Sequence, residues 1–335
     1  ACQPTMAGIA LVMAEGTIDD GTINQEAWAG IAKYCEEKGI SNQSFQASEN
    51  TQTARMDAVS LAVKRGAMLV VCSGASFQDT LVQAAKEFPD VTFLGLDCSI
   101  PEGSPKNAVG VTFSEVQAGF LAGYAAVENG WTKLGFFSEK KDSQSILYGY
   151  GFVQGAQAYA KAKEMPAQSV EIRYAYADKP GNTPENQAVA KEWFQNGAEA
   201  IFTIGYELTN GVIAAAEEFG KQVIGADVNW SDASQNVAIS AVKHYSQAVQ
   251  DLIDLSYNEE LTGGSTVQRT AAENGIALTM DDSHLKNFTR KSYDNLVIAL
   301  ADDVSGMAAD LVNTPAEDGS IGASGIVLSE VKVIE

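Results

Sequence analysis

Histidine is nearly missing from this chain: His244 and His284 are the two among 335 residues. Neither has a second ligand at metal-binding spacing. General acid–base chemistry draws on histidine more than on any other side chain, so the commonest hydrolytic arrangements lack their usual part. His244 directly follows Lys243 at a predicted strand end, and both histidines read as surface or structural. Cysteine is scarce: there are four, and no C-x-x-C pair, which removes zinc-ribbon and redox motifs. Basic residues are few as well. Lys and Arg number 22 against 43 Asp and Glu, a net charge of -21 with no basic cluster, which excludes a nucleic-acid-binding role. No apolar run approaches the roughly 18 residues that cross a bilayer. No G-x-x-x-x-G-K-S/T loop and no G-x-G-x-x-G after a strand offers a cradle for nucleotide phosphates. Gly74-Ala75-Ser76-Phe77-Gln78 lacks the closing glycine of a nucleophile elbow.

What is present is a regular alternation of strands and helices. The chain is 45% hydrophobic and 19% charged, ordinary for a folded globular protein, and its length suits two domains. Apolar runs at 8–13, 67–72, 91–96 and 109–112 read as strands, with helices near 28–35, 53–64 and 77–88 and an extended piece at 42–47. The pattern restarts after a helix at 115–127. Strands at 133–137, 170–174, 200–204, 222–226 and 237–242 alternate with helices at 149–162, 185–196, 208–219 and 245–257. Residues 275–279 read as extended. A long helix is predicted over 295–312 on the stripe Leu296, Leu300, Val304, Met307 and Leu311, and a last strand at 326–328. Repeated βα units of this kind imply α/β lobes with doubly wound parallel sheets.

The first strand leads into Gly16-Thr17-Ile18-Asp19-Asp20-Gly21-Thr22-Ile23-Asn24, a polar loop before a helix. In open α/β sheets, ligands bind where such loops leave the carboxyl ends of the strands. Asn24 suits the helix N-cap, and Trp28 lies one turn further along, on the stripe Trp28, Ile31, Ala32 and Cys35. Carboxylate, amide and indole together suit a small, flat, hydrogen-bonding ligand. Plainer roles compete: Trp28 as core packing, Asp20 as a turn cap, Lys243 as a solvated strand end, Phe77 and Trp230 as core or surface aromatics. The pair Asp19-Asp20 could also bind a divalent metal, which would make the chain a metal-dependent nucleoside hydrolase. Asp97 and Asp227 each end an apolar strand, where stability rarely needs a carboxylate. Cys35, Cys72 and Cys98 read as buried thiols, and a Cys72–Cys98 bridge requires neighbouring strands.

Residues Ile18 to Gly30 resemble the D-K-S-F-N-Q-x-x-W-x-G segment of the basic-membrane-protein (PnrA-like) family. Pro89–Asp97, Ala118–Ala126, Tyr176-Ala177-Asp178, Gly225-Ala226-Asp227 and Ser240-Ala241-Val242-Lys243 match further family segments in order. The resemblance implies a type I periplasmic-binding-protein fold, with two doubly wound lobes joined by three crossovers. The expected lobes are 1–112 plus 243–277 and 113–242 plus 278–335. The family consists of nucleoside-binding lipoproteins of ABC importers, so the resemblance implies a nucleoside, purine favoured, as ligand between the lobes, and a membrane permease as partner. It implies no catalysis and no cofactor. Carried over, Asp20, Asn24 and Asp97 contact the ligand, Trp28 and Tyr176 sandwich the base, and Asp227 and Lys243 hold the ribose. Gly205 stands at the site, in a segment where Tyr206 replaces a glycine and is expected to intrude on the pocket. Cys2, after Ala1, matches the lipid-modified cysteine of bacterial lipoproteins, which implies a monomer anchored on the extracytoplasmic face of the cell membrane. The alternative within the same fold is a receptor for a sugar or small signalling molecule.

Overall fold

The computed structural model of the chain describes residues 8–335. Cys2, the expected lipid site, lies outside them. The chain divides into two compact units, one holding the chain up to Phe113 together with His244–Arg269, the other Ser114–Lys243 with Thr270–Glu335. The expected crossings were at 112/113, 242/243 and 277/278.

The first unit contains β1 (Gly8–Met13), α1 (Ile23–Lys38), β2 (Ser41–Gln46), α2 (Gln52–Lys64), β3 (Ala67–Ser73), α3 (Gln78–Glu87), β4 (Thr92–Leu96) and β5 (Ala108–Phe113). The second begins with α4 (Glu115–Glu128), β6 (Lys133–Ser138), α5 (Ser143–Ala162), β7 (Val170–Tyr176), α6 (Pro184–Gln195) and β8 (Ala200–Ile204). It continues with α7 (Tyr206–Phe219), β9 (Gln222–Asp227) and β10 (Val237–Lys243). The first unit then regains α8 (Tyr245–Tyr257) and β11 (Ser265–Arg269), and the second closes with β12 (Ile276–Leu278), α9 (Arg290–Ala301) and β13 (Val331–Ile334).

The first sheet runs β11-β5-β4-β3-β1-β2 and the second β12-β10-β9-β8-β6-β7-β13. Every pairing is parallel except β10 with β12. The doubly wound α/β class expected from the strand–helix alternation is thus observed. Central strands such as β1 and β10 are buried along their whole length, as parallel strands covered on both faces must be.

In the second unit, α4 and α5 meet backbone to backbone. A Cβ on Gly119 or Gly123 would lie 2.2 Å from the Tyr148 carbonyl oxygen or 2.0 Å from that of Phe152. Gly151 and Gly155 meet the Val116 and Phe120 carbonyl oxygens at 2.0 Å in return. Small residues four apart on both helices allow this approach, and α4 is buried nearly all round.

Five local expectations are corrected. The N-cap of α1 is Thr22, whose hydroxyl accepts from the Asn24 N–H, so Asn24 is helical. The core face of α1 is Asn24, Ala27, Gly30, Ile31, Tyr34 and Cys35, with Trp28 half-buried beside it. The helix expected at 149–162 starts at Ser143, capped by Asp142. The helix expected over 295–312 is α9, which ends at Ala301: Asp303, Ser305 and Gly306 all take left-handed backbone, which stops a right-handed helix. The last strand is β13, not 326–328.

Candidate functional site

In the first unit, the groups singled out from the sequence gather at the carboxyl ends of β1, β3 and β4. Asp20 organises the β1–α1 loop. Its Oδ1 accepts from the Thr22 N–H and hydroxyl, its Oδ2 from the Thr17 N–H and from Asn24 Nδ2. Burial alone would raise its pKa, but these bonds outweigh burial and hold the carboxyl below its ordinary value. A carboxylate offers about four lone-pair sites, and the loop takes them. Gly16 makes room for this, since a Cβ there would lie 2.2 Å from Asp20 Oδ2.

Asn24 is committed in the same way. Its Nδ2 donates to Glu15 O and Asp20 Oδ2, and its Oδ1 accepts from the Ser73 hydroxyl at 2.6 Å. Both residues were expected to touch a ligand; the structure uses their polar atoms to shape the loop that presents Trp28. Trp28 is half-buried on the first turns of α1.

Asp97 follows β4 directly and takes a left-handed backbone, φ 55°. Asp tolerates that region better than most residues. Its side chain is buried, and Tyr245 at the start of α8 donates to its Oδ2 at 2.9 Å. The Tyr245 ring stands edge-on to Phe113 at 5.1 Å.

The second unit repeats the device. Asp227 ends β9 with φ 68°, and a tyrosine again donates to it: Tyr148 from α5, 2.7 Å from Oδ1. Lys243, the last residue of β10, places Nζ 3.5 Å from the same oxygen and 2.9 Å from Glu115 Oε1. The ammonium also lies over the Tyr148 ring, 5.4 Å from its centre. The Lys243 side chain is 0% exposed and that of Asp227 20%. Burial and the carboxylate beside it push the Tyr148 hydroxyl well above its usual pKa, so it stays a donor. Among the described residues, none donates to the second Asp227 oxygen.

A cavity of about 150 Å3 opens beside Asp227, lined by Tyr148, Gly205, Tyr206 and Glu139 among others. Gly205 directly follows β8 with φ 113°, and a Cβ there would meet Glu139 Cβ at 2.4 Å. Glu139 Oε1 accepts from the Gly181 and Leu208 N–H groups. Tyr176, at the end of β7, lines a separate cavity of about 270 Å3. Its hydroxyl donates to Gly319 O at 3.1 Å, and Lys141 Nζ covers its ring at 5.5 Å. Burial pushes its pKa up to about 12.

Phe77 is core, and Trp230 is half-buried, donating to Ala226 O. Asp19 pairs with the Thr17 hydroxyl, and among the described residues no group of three or more His, Cys, Asp and Glu is placed to hold a metal. Cys72 and Cys98 are on or beside paired strands, with free buried thiols. Sequence reasoning missed Glu115, Tyr148, Tyr245 and Ser73. The capping pattern Ser114-x-x-Gln117 marked the start of α4, but nothing local tied Glu115 to a lysine 128 positions later.

A family model described as ABC transporter substrate-binding protein PnrA-like matches residues 8–302. The chain is 23% identical to the ABC transporter nucleoside-binding protein BmpA of Lactococcus lactis over 86% of each chain. It is 26% identical to basic membrane protein D of Borreliella burgdorferi, covering 83% of this chain and 80% of that one. Among solved structures, a solute-binding protein of an ABC transporter system from Conexibacter woesei superposes with a TM-score of 0.72 at 20% identity, covering 89% of this chain and 96% of that one. One from Aeropyrum pernix gives 0.69 at 19%, covering 91% and 88%. These two share the type I periplasmic-binding-protein fold with this chain.

Proposed function

The chain belongs to the PnrA-like family of ABC transporter substrate-binding proteins, and from that premise we propose that it captures a nucleoside and hands it to a membrane permease, catalysing nothing itself. The observation that carries the reading is the Tyr148–Asp227–Lys243–Glu115 network. It presents one carboxylate oxygen while its only cation is enclosed between two carboxylates. Two carboxylates and one ammonium leave a net negative charge. Such a site welcomes hydroxyl donors and repels phosphates, which favours a nucleoside over a nucleotide. The ribose hydroxyls donate to Asp227, which Tyr148 and Lys243 hold in place.

The half-buried Trp28 supplies an apolar face for the base, on a helix whose entry loop is held by Asp20 and Asn24. Asp97, held by Tyr245, is the matching carboxylate of the first unit. In this reading, Cys2 carries the lipid that keeps the protein at the outer face of the cell membrane. The nucleoside-binding relative from Lactococcus lactis supports the ligand class.

Thermal shift and calorimetry with a panel of nucleosides, nucleotides and free sugars test the proposal. A nucleoside at about a hundred times its Kd adds roughly 2.7 kcal/mol of stability. The 5′-monophosphate of the same nucleoside gives a clearly smaller shift. Stabilisation by sugars but by no nucleoside refutes the reading, and release of free base from a nucleoside refutes its non-catalytic part.

A further inference from the structure

We infer that a trough along α5 of the second unit is a docking site for a basic amphipathic helix of a partner protein. The trough has a volume of about 950 Å3 and shares no residue with the cavity beside Asp227. Its floor is Ala158 and Ala162, one turn apart on α5, with Phe120 of α4 beside them. One wall is the chain at 304–312 and the other the chain at 325–327. Both walls lie beyond residue 302, where the family match ends.

Two glutamines of α5 fix these walls. Gln154 binds both polar groups of Val312: its Nε2 donates to the carbonyl oxygen at 3.0 Å, and its Oε1 accepts from the N–H at 2.8 Å. Gln157 donates from Nε2 to the Ser329 hydroxyl at 3.0 Å and accepts on Oε1 from the Val331 N–H at 3.1 Å. Strand β13 anchors the second wall further by pairing with β7. Walls tied down in this way stand apart from the floor, so an occupant meets a preformed site.

The lining is apolar and partly in water. Val304 is 51% exposed and Val327 85%, and Met307 and Ile326 are half-buried. Single exposed apolar residues are ordinary, but a contiguous group around one concavity marks an interaction site. From Gln154 to Ala162 the floor runs about 12 Å, or roughly two helical turns. An alanine floor admits the large side chains of a second helix, and two turns take anchors at i, i+3 or i+4, and i+7.

Charge selects the helix. No Lys, Arg or His occurs from Ser292 to Val331. Asp310 lines the trough, Asp303 stands next to Val304, and Glu330 bonds to Gln157. Lys161 is the one base in the lining, against those three carboxylates. The residues flanking the partner's apolar stripe are therefore Lys and Arg. A second copy of this chain, at net charge -21, and an anionic lipid surface are both repelled.

Fluorescence anisotropy tests this with a dye-labelled peptide of about four helical turns, with Leu at i, i+3, i+4 and i+7 and Lys elsewhere. One control peptide has the same residues scrambled, and the other has Glu in place of Lys. The wild-type protein is expected to bind the striped peptide saturably and both controls roughly tenfold or more weakly. Ala158→Arg fills the floor. Val327→Lys puts a cation on a wall position too exposed to matter for folding. Each should weaken the striped peptide roughly tenfold or more, with nucleoside affinity and the melting temperature of Val327→Lys unchanged. No binding at about 1 mM peptide, or equal binding of the scrambled peptide, overturns the inference. Full binding by both variants overturns it too, since only diffuse attraction to an acidic surface would remain. Dimerisation, or co-sedimentation with anionic vesicles, that Val327→Lys alters would assign the trough to another occupant. Nucleoside binding is a separate readout, so each of these failures leaves the proposed function standing.

Discussion

Replacing Lys243 by Met exposes how the Asp227 carboxylate is held. The Lys243 side chain is fully buried, and its ammonium lies between Glu115, 4% exposed, and Asp227. Taking these charges out of water costs several kcal/mol each, and the pairing offsets that cost only while the set is complete. Met keeps the length and apolar stem of Lys but strands Glu115 without its lysine partner. Removing one member of a buried pair costs about 3–5 kcal/mol. For a unit of this size, each kcal/mol moves the melting point by roughly 2–4 °C, so the second unit's transition falls by roughly 6–20 °C. Replacing both members, Lys243→Met with Glu115→Leu, removes the stranded charge together with its partner. That double variant recovers most of the loss, since apolar replacements of whole buried pairs are often neutral or better. Differential scanning calorimetry of wild type, both single variants and the double gives the coupling directly. Affinity behaves differently from stability: both the single and the double variant bind nucleoside more weakly, because Asp227 loses the cation that orients it. A Lys243→Met protein melting within about 2 °C of wild type, or a double variant less stable than Lys243→Met alone, refutes the account of this network.

The Asp20 carboxyl is held below its ordinary value by its loop bonds, so it contributes stability above its unfolded pKa of about 3.9 that is lost as pH falls through the lower folded value. Melting temperatures of wild type and Asp20→Asn across acid pH should therefore differ most near neutrality and converge in strong acid; a constant gap would exclude the linkage. Tyr148 and Tyr174, both raised by burial, work in the opposite direction. They contribute stability fully present below about pH 10 that disappears as pH rises through their folded values. Tyrosinate absorbance for these two should therefore emerge only together with alkaline unfolding, and early reversible titration of every tyrosine in the native protein would contradict their burial. Gly123→Val puts branched carbon 2.0 Å from the Phe152 carbonyl oxygen. It should cost about 3 kcal/mol or more by forcing α4 off α5, and a denaturation midpoint equal to wild type would show that the helices are not packed on their backbones.

The fold was legible because its elements are local. Each apolar run followed by a polar helix start carries its own period, and the order of such units dictates parallel winding. The exceptions share a cause. The stripe Leu296 to Leu311 keeps helical spacing past Ala301, yet Asp303, Ser305 and Gly306 turn left-handed there; apolar spacing reports which residues could share a face, not whether the backbone stays helical between them. The site divides along the same line. Asp97 and Asp227 could be picked out because a carboxylate at the end of a buried strand has no stabilising reason to be there. Their partners could not, since Tyr245 lies 148 positions from Asp97, and Tyr148 lies 79 from Asp227. Asp20, Asn24 and Trp28 were found as a group, but their roles within it required bond geometry. Side chains four residues apart can meet each other as readily as a ligand, and here Asp20 and Asn24 meet each other. Motif position therefore identifies the loop, while division of labour within the loop follows from which polar atoms the fold has already satisfied. By that criterion Asp20 and Asn24 are already satisfied inside their own loop, whereas in the second unit Tyr148 and Lys243 both reach the same oxygen of Asp227.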